Sequence, residues 1–219
     1  MDEFQNISFY EDPLAFQKKL RAHWQHHQQV SYCLFGSRRH MLMEFFTKPS
    51  MPFYKFGDLI FLEKISEKHW IPFIQQRFMD TGKKISEAQA GNIAVVMENH
   101  PYFVQQLAQQ VWLHAEKNVT DGIAETAVQQ LLQQHHFLFQ REVDQLTIPQ
   151  INFLQAMLKG VEKFTAAENL KQYRLGTAGN VKRIREALES KEIIDSAAGK
   201  LEILDPLFQL WLERVYFKT

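Results

Sequence analysis

The chain has 219 residues, 45% hydrophobic and 23% charged, enough to bury a core in one or two domains. Its 25 Lys and Arg residues balance 25 Asp and Glu residues, which excludes binding to nucleic acid or an anionic membrane through overall charge. The single cysteine, Cys33, excludes a disulfide within the chain, and we interpret it as a buried thiol of a cytoplasmic protein. No apolar run approaches the about 20 residues that span a bilayer, so no membrane partner is expected.

An acidic pair, Asp2-Glu3, opens the sequence, and only Met1 precedes it. Asp12 and Pro13 then predict the start of a helix, as N-cap and first helical residue. Residues 30–35 form a short apolar run before Gly36-Ser37, which is typical of a buried strand. A second apolar run, at residues 58–62, follows a proline-containing loop and also predicts a buried strand.

Four helical patterns follow and predict an all-α bundle, because each has a start signal and one apolar face. Ser66 begins the first helix, and Thr120 caps the fourth. Ser86 and Gln89 have the spacing of a capping box at the start of the second helix. Pro101 occupies the first position of the third helix.

The pattern changes at Thr147, where three further helices begin, the last of them running from about residue 178 to 190. Two short strands, at 192–195 and 201–204, then flank a glycine-containing turn. Asp205-Pro206 starts a final helix. Three helices followed by a two-stranded ribbon predict a winged helix-turn-helix.

Basic residues on the third of these helices are candidate contacts to DNA, because such a helix can enter a major groove. They are Lys182, Arg183 and Arg185. Nearby glutamates almost balance their charge, whereas specific DNA-binding domains usually present a clearer basic face. DNA is therefore a possible partner but not the favoured one.

Five short motifs stand in the order and spacing of one protein family: Asp2-Glu3-Phe4-Gln5, Leu34-Phe35-Gly36-Ser37, Phe53-Tyr54, Asn99-His100-Pro101-Tyr102 and Asp205-Pro206-Leu207-Phe208. In them the chain resembles the C-terminal two-thirds of archaeal and bacterial AAA+/STAND-like P-loop ATPases, starting at the Walker B motif. The resemblance implies a mostly α fold in three parts. A remnant of the P-loop α/β sheet occupies 1–64, a helical lid 65–144 and a winged helix 145–219.

The resemblance also implies roles for single residues in a full-length relative that binds ATP and magnesium. Asp2 would hold the magnesium ion, and Glu3 would polarise the water that attacks the γ-phosphate. Ser37 would be the polar sensor after the next strand. His100 and Pro101 would lie against the adenine.

No G-x-x-x-x-G-K-[ST] loop occurs in these residues, and that loop supplies the phosphate-binding amides and lysine. We therefore expect a piece of a nucleotide-dependent switch that alone neither binds nor hydrolyses ATP, which leaves enzymatic activity undecided. The alternatives are a winged-helix DNA-binding regulator and an adaptor that binds protein through its lid. The resemblance also implies a sheet in which the strand before the phosphate-binding loop lies between the strands at 30–35 and 58–62. Because that central strand would be missing, we expect self-association or a strand-donating partner.

Overall fold

The structure, a computed structural model, describes residues 1–36, 39–197 and 200–218. Helices account for most of these residues, and the sheet found among them has two strands. The chain divides into two compact units, Met1–Leu62 and Glu63–Thr219. The predicted mostly α fold class is confirmed.

The first unit is built around Phe4. A 3-10 helix, Phe4–Phe9, precedes α1 (Pro13–Trp24) and α2 (Arg39–Thr47). Asp12 caps α1 as predicted, since its Oδ1 accepts a hydrogen bond from Ala15 N–H at 3.0 Å. The Phe4 side chain is 1% exposed, and aromatic rings surround it with centroids 5.4 to 6.2 Å away: Trp24, Phe45, Phe46 and Phe53.

The two strands predicted in this unit do not form. Residues 30–35 and 58–62 have no regular secondary structure, and Val30 and Phe35 are 53% and 52% exposed. Cys33 is exposed too, so its interpretation as a buried thiol is wrong. An apolar run becomes a buried strand only where neighbouring strands pair with it and other elements cover its faces, and those neighbours are not found among the described residues.

The second unit begins with four helices: α3 (Glu67–Met79), α4 (Glu87–Val96), α5 (Pro101–His114) and α6 (Asp121–Asp144). The predicted capping box opens α4, where the Ser86 Oγ accepts from Gln89 N–H at 3.2 Å and the Gln89 Oε1 accepts from Ser86 N–H at 3.1 Å. Pro101 is the first residue of α5, and the Thr120 side chain caps α6. Local start signals therefore place these helices.

A winged helix completes the second unit. It contains α7 (Ile148–Leu158), α8 (Ala167–Gln172), α9 (Ala178–Ser190), β1 (Ile194–Ala197), β2 (Lys200–Ile203) and α10 (Pro206–Trp211), followed by a π-helical turn, Leu212–Tyr216. The strands are antiparallel, with Ile194 opposite Ile203. Asp205 caps α10 by accepting from two backbone N–H groups.

One hydrophobic core extends through the whole second unit, from Trp70 in α3 to Leu212. Helix α6 connects the core of the four-helix bundle to that of the winged helix, because the ring of Phe139 contacts both Phe208 and Trp211 of α10. The indole N–H of Trp211, a fully buried side chain, also donates to His136 Nδ1 at 3.1 Å. The bundle and the winged helix are thus packed as one body. No helix in the described ranges combines the length and the apolar character needed to cross a membrane.

Candidate functional site

The acidic pair follows Met1, which is hydrogen-bonded to the backbone of residues 33–35. The Met1 amino group donates to Cys33 O at 2.6 Å, and Phe35 N–H donates to Met1 O at 3.1 Å. The Phe4 N–H also donates to Phe35 O at 3.0 Å. Hydrogen bonds on both sides of Asp2 and Glu3 therefore hold this stretch against residues 33–35.

Glu3 has a left-handed backbone conformation, with φ 47° and ψ 46°. This region is uncommon for residues other than glycine, and such strain concentrates at functional sites. The Glu3 carboxylate accepts a hydrogen bond from Gln5 Nε2, and its backbone N–H donates to Asp2 Oδ1 at 2.8 Å. Both acidic side chains are thus held by short-range hydrogen bonds.

Gln5 packs directly on the backbone of Gly36. The Gln5 side chain is 1% exposed, and its Oε1 has no hydrogen-bond partner among the described residues. A Cβ atom added to Gly36 would collide with the Gln5 amide, so a larger residue at this position would require the buried Gln5 side chain to move. The residue that orients Glu3 therefore also contacts the segment leading to Ser37. Ser37 itself, the predicted sensor, lies outside the described residues.

Asp2 and Glu3 fit part of a magnesium site. Magnesium is usually bound by one or two carboxylates together with substrate phosphates and water, and Asp2 is exposed. Within residues 1–36, 39–197 and 200–218, no group of three or more His, Cys, Asp or Glu side chains could hold a metal ion by itself. The two carboxylates match the ligands that a protein contributes to such a site, and a bound nucleotide would have to supply the phosphate ligands.

His100 and Pro101, the predicted adenine contacts, belong to the second unit, whereas Asp2 and Glu3 belong to the first. They follow Glu98 and Asn99, two consecutive residues with positive φ of 48° and 60°. The side-chain atoms Asn99 Oδ1 and His100 Nδ1 are buried and have no hydrogen-bond partner in the described part of the chain. Strain and unpaired buried polar atoms together mark this turn as a candidate ligand contact.

An ionic link joins this turn to the wing. The Lys64 ammonium lies 3.3 Å from Glu98 Oε2 and 3.1 Å from Glu202 Oε2 in β2. Burial lowers the pKa of His100, with a further contribution from the Lys64 charge, while Asp205 and Glu98 act in the opposite direction. Sequence reasoning missed Lys64 and Glu202, because no local pattern relates residues so far apart.

Two further carboxyl groups in the second unit, those of Asp205 and Glu142, have shifted pKa values. Burial raises the pKa of Asp205, although hydrogen bonds from Phe208 and Leu207 N–H, 2.9 and 2.8 Å long, oppose the effect. Burial and the nearby Asp205 carboxylate raise the pKa of Glu142 in α6. The junction of turn, α6 and α10 is thus rich in ionisable groups.

The candidate DNA-contacting residues lie on α9, and two of the three are paired with acids of the same helix. Arg185 Nε lies 2.7 Å from Glu189 Oε1, and Lys182 Nζ lies 3.8 Å from Glu186 Oε1. Arg183 is exposed. These intrahelical pairs reduce the positive charge that the helix offers to phosphates.

Comparison with known proteins agrees with this architecture. Residues 137–214 match a family model described as "Probable winged helix domain", which begins in the second half of α6. No curated protein matches the chain. Among solved structures, the Walker-type ATPase PABY2304 of Pyrococcus abyssi is similar at 16% sequence identity and a TM-score of 0.70, over 96% of this chain and 61% of that chain. The chain thus spans about three fifths of that ATPase's length and shares its fold over this part, with a winged helix domain near its C-terminal end.

Proposed function

We propose that this chain is the C-terminal part of a Walker-type P-loop ATPase, of the AAA+/STAND-like kind, and works in a nucleotide-dependent switch. The observation that carries the proposal is the position of Asp2-Glu3. Hydrogen bonds of Met1 and Phe4 hold the residues on both sides of the pair against residues 33–35, and Glu3 has a left-handed backbone conformation. In P-loop ATPases the acidic residues act at the carboxyl end of a strand, where the carboxylates face the nucleotide.

In this function Asp2 holds the magnesium ion, which would neutralise charge on the phosphates. Glu3 orients and polarises the attacking water, and its hydrogen bond from Gln5 keeps the carboxylate in place. Ser37 senses the γ-phosphate. His100 and Pro101 lie against the adenine, where the unpaired His100 Nδ1 and Asn99 Oδ1 would find polar partners.

The 219 residues by themselves should bind Mg-ATP weakly, since their sequence contains no phosphate-binding loop. Calorimetric titration should give a dissociation constant weaker than about 1 mM, equivalent to less than about 4 kcal/mol of binding. Micromolar binding would contradict the proposal that these residues need a separate phosphate-binding loop to bind Mg-ATP.

The proposal is tested by supplying the other part. The full chain is mixed with the portion of the Pyrococcus abyssi ATPase that has no counterpart here, and phosphate release is followed. Hydrolysis should appear in the mixture and should fall by at least about a hundredfold in the Glu3→Gln variant, the usual order for a catalytic acid or base. The exposed Glu11 provides the control, because Glu11→Gln should retain full activity. Hydrolysis that survives Glu3→Gln would refute the role of this residue.

A further inference from the structure

The second unit begins with a short irregular segment, residues 63–66, that leads into α3. All four residues are exposed, and none of their backbone N–H groups donates a hydrogen bond to another described residue. Ser66 is the N-cap of α3, but its side chain accepts no hydrogen bond from the helix. The position of this segment therefore depends largely on its side chains.

Lys64 attaches the segment to the rest of the unit. Its ammonium pairs with carboxylates of two other elements, Glu98 in the turn between α4 and α5 and Glu202 in β2 of the wing. Burial lowers the pKa of Lys64, but the hydrogen bond and the charge of Glu202, together with the charge of Glu98, raise it above the usual 10.5. Lys64 is therefore charged at neutral pH, and one cation joins the segment, the turn and the wing.

The two carboxylates at Lys64 have a third carboxylate beside them. Glu98 and Glu202 contact the same ammonium and hence lie close to each other. Glu213, in the π-helical turn after α10, is near Glu98: burial, and after it the Glu98 charge, raises the pKa of Glu213, while Arg214 acts in the opposite direction. Because like charges at such short range repel one another, the turn and the wing would be pushed apart without the Lys64 charge.

We propose that Lys64, Glu98 and Glu202 form an electrostatic latch that holds the segment 63–66, the α4–α5 turn and the wing together, and that loss of the Lys64 charge releases all three. The side chains of the three residues remain 41%, 32% and 33% exposed. Ion pairs this accessible are individually weak and are screened by salt, so the latch can open without unfolding the shared core. Because residues 63–66 directly follow the boundary between the two units, opening frees the chain at that boundary.

The test is deuterium exchange of the full chain at low salt, measured at one amide in each of the three elements. The Trp70 N–H donates to Ser66 O at 3.3 Å and reports on the start of α3. The His100 N–H, bonded at 2.9 Å within the turn, and the Leu204 N–H, bonded at 3.0 Å within the wing, report on the other two. Lys64→Met should speed exchange at all three amides by at least about threefold, the order expected for the loss of exposed ion pairs. Lys64→Arg, which keeps the charge, should exchange like the unaltered chain.

Salt and a second substitution separate the effect of charge from that of packing. Because salt screens attraction and repulsion alike, it should speed exchange at these amides in the unaltered chain and slow it in Lys64→Met. Adding Glu202→Gln to Lys64→Met removes a repelling charge and should restore slow exchange in part, since residues in contact are non-additive. Lys68→Met is the matched control: Lys68 is an exposed lysine in the first turn of α3, where loss of a positive charge should not speed exchange.

Three results would refute the latch. The first is unchanged exchange at all three amides in Lys64→Met. The second is faster exchange at Trp70 alone, because Lys64 would then stabilise only the start of α3. The third is salt acting in the same direction on the unaltered chain and on Lys64→Met, which would mean that the Lys64 side chain contributes packing rather than charge. No nucleotide is needed in these measurements, so their outcome does not depend on the proposed function.

Discussion

Gly36 is the residue at which the acidic site depends most directly on side-chain size. We expect Gly36→Ala to destabilise the first unit by about 1–3 kcal/mol, the usual cost of overpacking, because the new methyl group meets the Gln5 amide. Deuterium exchange at the Phe4 amide, which donates to Phe35 O at 3.0 Å, reports the loss. The same change at Gly57, where a Cβ would meet nothing within 4 Å, should have little effect.

A double substitution identifies the cause. Gln5→Ala removes the side chain with which the new methyl group collides, so Gly36→Ala should cost much less in a Gln5→Ala background. Such non-additivity is expected only of residues in direct contact. Equal costs in both backgrounds would show that the glycine is required for another reason.

The Glu142 carboxyl group reduces the stability of the folded protein by an amount that depends on pH. Because its pKa is raised above the ordinary value of 4.5 by burial and by Asp205, the folded state holds this proton more tightly than the unfolded chain. Stability therefore falls as the pH rises through the interval above 4.5. Glu142→Gln should raise the free energy of unfolding near pH 7, because the neutral amide does not bring a charge into this buried position. The gain should vanish below about pH 4, where Glu142 is neutral.

Chemical unfolding at both pH values measures this difference. Glu116→Gln is the matched control, because Glu116 is exposed, and its effect should be small at either pH. A gain from Glu142→Gln that persists in acid would mean that packing, rather than charge, is responsible.

At the scale of elements, local signals predicted the helices and the two strands of the wing but failed for the strands expected at 30–35 and 58–62. The caps at Asp12, Ser86 and Thr120 act within three residues of themselves, so the sequence contains both partners. The two strands of the wing are neighbours in sequence, whereas a strand of a parallel sheet needs a distant partner. The apolar runs at 30–35 and 58–62 could not show that such partners are not found among the described residues. Apolar composition therefore identified the segments but not their state.

The candidate site shows the same limit. Asp2, Glu3, His100 and Pro101 could be singled out from motifs, and their proposed roles remain predictions. Lys64 could not, because its partners Glu98 and Glu202 are 34 and 138 residues away. Only the tertiary fold brings Glu98 of the turn and Glu202 of the wing close to Lys64.

Helix α9 should not bind DNA at physiological salt, because Lys182 and Arg185 are paired with Glu186 and Glu189. A mobility-shift titration with duplex DNA should show no complex. The charge-reversing pair Glu186→Lys and Glu189→Lys should create weak, salt-sensitive binding, since each added cation releases counterions. A shift by the unaltered chain that Arg183→Ala abolishes would instead support a DNA-binding regulator.

At the scale of the whole molecule, the bundle and the winged helix share one core, which suits a switch that moves as a rigid piece. Phe208 is 1% exposed and contacts Phe139 of α6. We expect Phe208→Ala to cost about 3–5 kcal/mol and to speed deuterium exchange in α4 and α5 as well as in the winged helix. A shared core makes the second unit one cooperative body, so damage at one end lowers protection throughout.

Phe137 is the matched control for this last experiment. It is the same residue type as Phe208 and lies on α6, two positions from Phe139, but it is 84% exposed. Phe137→Ala should therefore change stability by less than about 0.5 kcal/mol, as is usual for exposed positions. If Phe208→Ala speeds exchange only beyond α6 while α4 and α5 keep full protection, the bundle and the winged helix unfold independently. In that case the proposed switch could not couple the turn of His100 to the wing through the core, and the ion pairs of Lys64 with Glu98 and Glu202 would be the remaining connection between them.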